Sequence, residues 1–237
     1  MKWNIDEECT ICAELHDKDF NNRSIKQICE VCEVQTRILY EDKNFVIIPS
    51  LGPISDCHIL LVPKQHVNSY ALLSDELLDL AERLIIKILK IIKRKYGSCI
   101  IFEHGVLDEN MLGSASCNHA HIHIVSCNKS LLPLLERESL EIRKLEKLSE
   151  LVNQTDRNEA YFYYSEDGEK SFIMDDTIHK SQYMRMITAE ILKIPERGNW
   201  KQNLGIENVQ KMLWDMKEIF VELSEPNEKQ GDERVSA

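Results

Sequence analysis

No apolar run in the 237-residue chain approaches the roughly 20 residues that span a bilayer, which argues against a helical membrane protein. The stretch from Met1 to Glu8 is acidic and lacks the apolar segment of a secretion signal, so the expected compartment is the cytoplasm. Basic residues are outnumbered: 29 Lys and Arg face 40 Asp and Glu, a net charge of −11. That balance argues against a surface that coats extended nucleic acid. It leaves small anions open as ligands, because a few local donors suffice to hold a nucleotide phosphate. There is no internal repeat. The chain does have 43% hydrophobic residues, enough for a real core in one large domain or in one domain and an extension.

Cysteine, by contrast, is present eight times. Four fall in two CysXXCys pairs, Cys9/Cys12 and Cys29/Cys32. In a long chain without a secretion signal such pairs point to metal binding rather than disulfides. The order Cys9-X2-Cys12-X16-Cys29-X2-Cys32 fits a four-cysteine zinc site. Cys57, Cys99, Cys117 and Cys127 stand among apolar residues and read as small core side chains.

The hydrophobic pattern predicts strands over Thr36–Tyr40, Phe45–Pro49, Cys57–Val62, Ser98–Glu103 and His119–Ser126. Between Ser74 and Tyr96 apolar residues recur at steps of three and four, from Leu77 to Ile92, which predicts a long helix. Asp75 and Glu76 open it, Lys93, Arg94 and Lys95 close it, and Gly97 suits its C-terminal cap. Residues 131–152 and 180–193 are expected to be helical. Tyr161–Ser165 and Ser171–Met174 flank a hairpin turn. A last helix carries Ile206, Val209, Leu213, Met216, Phe220 and Leu223 as a stripe for the protein's own core. On this pattern the chain divides into a domain at 1–128, an extension at 129–223 and a disordered tail at 224–237.

One segment carries chemistry. His119, His121 and His123 alternate with Ala120, Ile122 and Ile124. In a strand this spacing sends three imidazoles to one face and three apolar side chains to the other. The loop before it, from Gly105 to Ser116, is rich in Gly and Ser, a suitable lining for a substrate.

Together with Asp56-Cys57-His58-Ile59-Leu60-Leu61-Val62-Pro63-Lys64-Gln65-His66-Val67 and Phe102-Glu103-His104-Gly105, this segment resembles the histidine-triad (HIT) superfamily of nucleotide hydrolases and transferases. The likeness covers about residues 9–126. It implies an α+β fold, with an antiparallel sheet, one long helix across it and a mostly helical C-terminal extension. It implies a nucleotide or nucleotidyl conjugate as partner, and a homodimer. His121 is the implied nucleophile on an α-phosphate, His123 supports the phosphate, and His58 and Ser116 share the pocket. His119 belongs both to the triad and, with Cys9, Cys12 and His66, to an implied zinc set that rivals the four-cysteine one. Glu103 stands where many relatives carry a phosphate-side asparagine, and a carboxylate there repels phosphate unless protonated or turned away. Ser50 falls near the usual ribose contact. Arg185, in Ser181-Gln182-Tyr183-Met184-Arg185, is within reach of a phosphate or a surface ion pair. A different class of function is also open: a non-catalytic nucleotide-binding or zinc-stabilised interaction protein.

Overall fold

In the computed structural model the β-branched and aromatic runs pair into one antiparallel sheet, and the structure describes Asp6 and residues 9–16, 23–108, 111 and 118–224. Its strands are β1 (Tyr40–Glu41), β2 (Phe45–Pro49), β3 (His58–Pro63), β4 (Cys99–Gly105), β5 (Ile122–Ser126), β6 (Arg143–Leu145), β7 (Tyr161–Glu166) and β8 (Lys170–Asp175). They lie in the order β1-β2-β3-β5-β4-β7-β8-β6. The hairpin β7–β8 joins this sheet through β4, with Phe102 opposite Tyr164 and Gly105 opposite Tyr161. Strands from both sides of residue 128 therefore share one ladder.

Alternation along these strands produces two apolar faces. Ile47, Ile59, Leu61, Ile101, Ile122, Ile124, Tyr161 and Tyr163 point to one face. There the long helix α3 (Asp75–Tyr96) buries Leu78, Ala81, Leu84, Ile85, Ile88 and Ile92 against them. Ser74 caps α3 by accepting the Leu77 N–H, and Gly97 closes it at φ 78°. On the other face, α1 (Thr10–His16) covers β2 and β3, packing Cys9, Ile11 and Cys12 on Val46, Ile48, Leu60 and Val62. Further along, α4 (Leu132–Arg137) and α6 (Tyr183–Ile191) cover Ile100, Phe102, Val125, Phe162 and Tyr164. The imidazoles stand on this second face, on β3 and β5 between the two covers.

The long helix, the hairpin and the strands at 45–49 and 57–62 agree with the sequence pattern. Elsewhere tertiary structure overrides it. The strand expected at 36–40 shrinks to β1: Tyr40 and Glu41 pair with β2, and before them the Leu39 N–H bonds to the Ile47 carbonyl. The strand expected from His119 starts at Ile122: before it, the Ala120 N–H bonds to the Val67 carbonyl instead of to a strand ladder. The helix expected over 131–152 is broken into α4, β6 and a 3-10 turn at Leu148–Asn153. Ser139 at φ 58° stops the helix, and Arg143–Leu145 then pairs with the open edge of β8. After it come α5 (Gln154–Arg157) and, near the end, α7 (Ile206–Lys217) and α8 (Val221–Ser224) in place of one last helix. The α7 stripe packs on the chain's own core, with Val209 and Leu213 on Ile28 of α2 (Arg23–Val31) and Met212, Met216 and Phe220 on the α3 side. No helix among the described residues is long and apolar enough to cross a membrane. The expected tail beyond Ser224 lies outside the described residues.

Candidate functional site

The strand register sets the imidazoles. His58 on β3 lies opposite Val125, and His123 on β5 lies opposite both Leu60 and Phe102. Direct partners in a ladder share a face, so His58, His123 and Phe102 point the same way. The Phe102 ring stacks on His123 at 4.6 Å between centroids. His121 follows on the same side, its ring 4.9 Å from that of His123.

Hydrogen bonds assign the tautomers. The Ile54 N–H donates to His58 Nδ1 at 3.1 Å, so the His58 proton is on Nε2. That N–H donates to His123 Nδ1 at 2.8 Å. His123 must then carry its own proton on Nε2, as a donor. His121 Nδ1 donates to the His119 carbonyl at 2.7 Å, which leaves the lone pair on Nε2. Burial holds all three rings neutral, pushing His121 down to about 4 and His58 and His123 well below the usual range.

A buried cation adds to that field. Arg185 of α6 is 3% exposed and donates to Ser50 Oγ at 3.0 Å and to the carbonyls of Gly52 at 2.6 Å and Gly198 at 3.2 Å. It therefore makes no surface ion pair; burial alone lowers it to about 10. Ser50, the expected ribose contact, is occupied by this guanidinium.

The first histidine of the motif leaves the row. His119 Nδ1 is 3.5 Å from both Cys9 Sγ and Cys12 Sγ, and its Nε2–H donates to the Pro63 carbonyl at 2.8 Å. Only two of the three alternating rings thus face one another, because residues 119–121 precede the strand. His66 Nδ1 lies 3.3 Å from Cys12 Sγ, while its Nε2 faces the Asp6 carboxylate at 3.6 Å. Asn118 holds the same carboxylate at 3.0 Å. The ligand atoms of Cys9, Cys12, His66 and His119 all lie within 4.8 Å of one another. Zinc bonds of about 2.3 Å to sulfur and about 2.0–2.1 Å to nitrogen set tetrahedral S···N edges near 3.5 Å, so the cluster is compatible with zinc. The carbonyl and carboxylate behind the two rings hold Nδ1 as the ligating atom. Cys9 is held well below the ordinary thiol range, first by the Cys12 thiol and then by the His119 ring, against burial. A buried ion pair fixes the segment: Arg37 Nε is 2.6 Å from Glu14 of α1 and a second guanidinium N–H reaches the Pro49 carbonyl of β2.

The rival four-cysteine set is not assembled among the described residues. Cys32 packs with Ile28, Val209 and Leu213 instead. Glu103 is also displaced from the phosphate side. It follows Phe102 on β4, so it points to the opposite face of the sheet, 1% exposed. It accepts the Tyr70 N–H at 2.9 Å and the Tyr161 hydroxyl at 2.6 Å. Burial raises its carboxyl to about 7 against those two bonds. The expected Ser116 lies outside the described residues.

The sequence singles out Ser50 and Arg185 without their meeting, and gives His104 no role. Ser50 meeting Arg185 joins residues 135 positions apart, and nothing local signals it. His104, on the same face of β4 as Phe102, is 2.9 Å from Asp176 just beyond β8. Its period-two relation to Phe102 was there to be read; its partner was not.

A family model described as scavenger mRNA decapping enzyme C-term binding matches residues 23–136. CWF19-like protein 1 of Mus musculus is 24% identical over 164 residues, 64% of this chain and 29% of that protein. This chain therefore spans under a third of that relative's length. A zinc-bound histidine triad family protein from Mycobacterium smegmatis is a structural neighbour at TM-score 0.34 and 19% identity, covering 56% of this chain and 96% of that one. An uncharacterized HIT-like protein of Chlamydia trachomatis is 32% identical over 91 residues, 37% of this chain and 77% of that protein. With that much of a HIT-like relative matched, and with His58, His121 and His123 gathered on one sheet face, the chain belongs to the HIT-like, or histidine-triad, family.

Proposed function

We propose that the protein is a nucleotide hydrolase or nucleotidyltransferase that works at an α-phosphate through a covalent nucleotidyl-His121. The observation that carries this is the tautomer of His121: the His119 carbonyl takes the Nδ1 proton and Nε2 is left as a neutral nucleophile. Nε2 attacks phosphorus, the bond to the leaving group breaks, and an N–P bond forms. Water or another acceptor then attacks the same phosphorus and breaks the N–P bond. His123, kept as an Nε2–H donor by His58, bonds to the phosphate oxygens as their charge grows. The positive field of Arg185 adds to the preference for an anion.

Candidate substrates are dinucleoside polyphosphates, nucleoside phosphoramidates and related conjugates. The decapping description of the matched family model adds cap dinucleotides to those worth assaying. A zinc ion held by Cys9, Cys12, His66 and His119 belongs to the same proposal. It would be structural, since four protein ligands fill its coordination, and it would tie the α1 segment to the start of the histidine strand.

The test is turnover of diadenosine polyphosphates, cap dinucleotide and adenosine phosphoramidate, with His121→Ala alongside and mass spectrometry of the protein quenched in alkaline denaturant, where an N–P bond survives. The expected result is turnover abolished in His121→Ala and a nucleotidyl adduct on the wild-type peptide that contains His121. Nucleotide binding without turnover, unaffected by His121→Ala, would replace this proposal with a binding protein.

A further inference from the structure

The His104–Asp176 pair is unused by the chemistry so far, and it stands beside it. On β4 and β5 the register pairs Ile100 with Val125 and Phe102 with His123. His104 lies two residues beyond Phe102 on β4 and His121 two residues before His123, so in this antiparallel pair both stand toward the same end of the stacked Phe102–His123 pair. The side chain of His104 is on the imidazole face, tilted against the Phe162 ring at 4.6 Å between centroids.

The pair is built for a proton. Asp176 has a fully buried side chain and accepts from His104 Nε2 at 2.9 Å, from the His179 N–H at 2.8 Å and from the Ile178 N–H at 3.0 Å. Burial raises its carboxyl, but these three donors outweigh burial and keep it below the ordinary value. With Nε2 held on this carboxylate, the nitrogen open to exchange a proton is Nδ1. That nitrogen has no hydrogen bond among the described residues, and the His104 side chain is 13% exposed.

We propose that His104 is the general acid and base of the reaction, and that Asp176, supplied from beyond residue 128, is its positioning residue. This rests on the nucleotidyl-His121 chemistry above. In the first step His121 Nε2 forms the N–P bond, the P–X bond breaks with its electron pair on the leaving atom X, and His104 Nδ1 gives that atom its proton. In the second step water enters on the side that X left, since both are in line with His121. His104 Nδ1 takes one proton from the water as the O–P bond forms and the N–P bond breaks. Atoms, charge and protons return to the starting state, and no further reactant is required. The substrate class follows: conjugates whose leaving atom is an amine or alkoxide nitrogen or oxygen, which cannot depart without a proton.

The experiment compares two adenylates that differ only in the leaving group, an alkylamine phosphoramidate and the 4-nitrophenyl ester of AMP. First-turnover rates and steady-state rates are measured for wild type, His104→Gln, Asp176→Asn and His121→Ala. Because 4-nitrophenolate leaves unprotonated, His104→Gln is expected to slow the first turnover of the amine about 100-fold or more and that of the ester less than about fivefold. The ester should then show a burst followed by slow release of a nucleotidyl enzyme. Asp176→Asn is expected to show the same split at smaller amplitude, and it serves as the second variant if His104→Gln fails to fold. Equal losses on both substrates would overturn the role of His104 while leaving His121 in place. No turnover of either substrate by wild type, or turnover surviving in His121→Ala, would overturn the nucleotidyl-histidine proposal and this one with it.

Discussion

His58 Nε2 lies 2.8 Å from His123 Nδ1, across 65 residues of chain, and both rings are buried. The bond joins neighbouring strands and is itself oriented by the Ile54 N–H. His58 thereby decides which nitrogen of His123 carries a proton. Replacing it by Phe keeps the volume and removes the donor. His58→Phe is expected to lower kcat on a nucleoside phosphoramidate about 100-fold with little change in KM, as a misassigned tautomer does. An unchanged kcat in a folded variant would show that His123 needs no such relay.

The Cys/His cluster predicts one zinc per chain. Elemental analysis of Cys12→Ser should show loss of that zinc, and its melting temperature should fall by about 10 °C or more. Cys29→Ser and Cys32→Ser should keep the metal, because Cys32 packs against Val209 and Leu213 rather than toward Cys9. Zinc lost equally in all three variants would favour the four-cysteine set.

Glu103 predicts a pH dependence of stability. Its folded carboxyl is near 7 against an ordinary 4.5, so between those values the native state binds more protons than the unfolded one. Its contribution is fully present below pH 4.5 and is lost as pH rises through 7. Relative to wild type, Glu103→Gln should gain about 3 kcal/mol between pH 4.5 and pH 8 in urea unfolding, an amount set by the size of the shift. A difference that stays flat with pH would mean that the carboxyl ionises freely in the fold.

Gly105 ends β4 beneath the Tyr161 ring. A Cβ there would come within 2.3 Å of Tyr161 Cζ and 2.6 Å of its hydroxyl oxygen. Gly105→Ala is therefore expected to cost about 1–3 kcal/mol and to loosen the Tyr161–Glu103 bond. Thermal unfolding checks the cost. If the Glu103 dependence on pH persists unaltered in Gly105→Ala, the ring has moved without releasing the carboxylate.

Periodicity alone determined a good deal of this protein. The steps of three and four from Leu77 to Ile92 made α3 legible, and alternation from Ala120 to Ile124 marked the buried face of the histidine segment. Local signals suffice where an element buries one continuous stripe. They failed over 131–152, where a charged segment with helical spacing was captured by the edge of β8. They also failed at His119, whose strand-like spacing gave way to a bond with Pro63 and two cysteines over a hundred residues away. Only the tertiary structure turned Glu103 into the core, brought Arg185 to Ser50 and set Asp176 behind His104. Each of those is a meeting of buried polar groups distant in sequence. Such groups must find partners when they leave water, and the fold, not the local pattern, decides which partners are in reach.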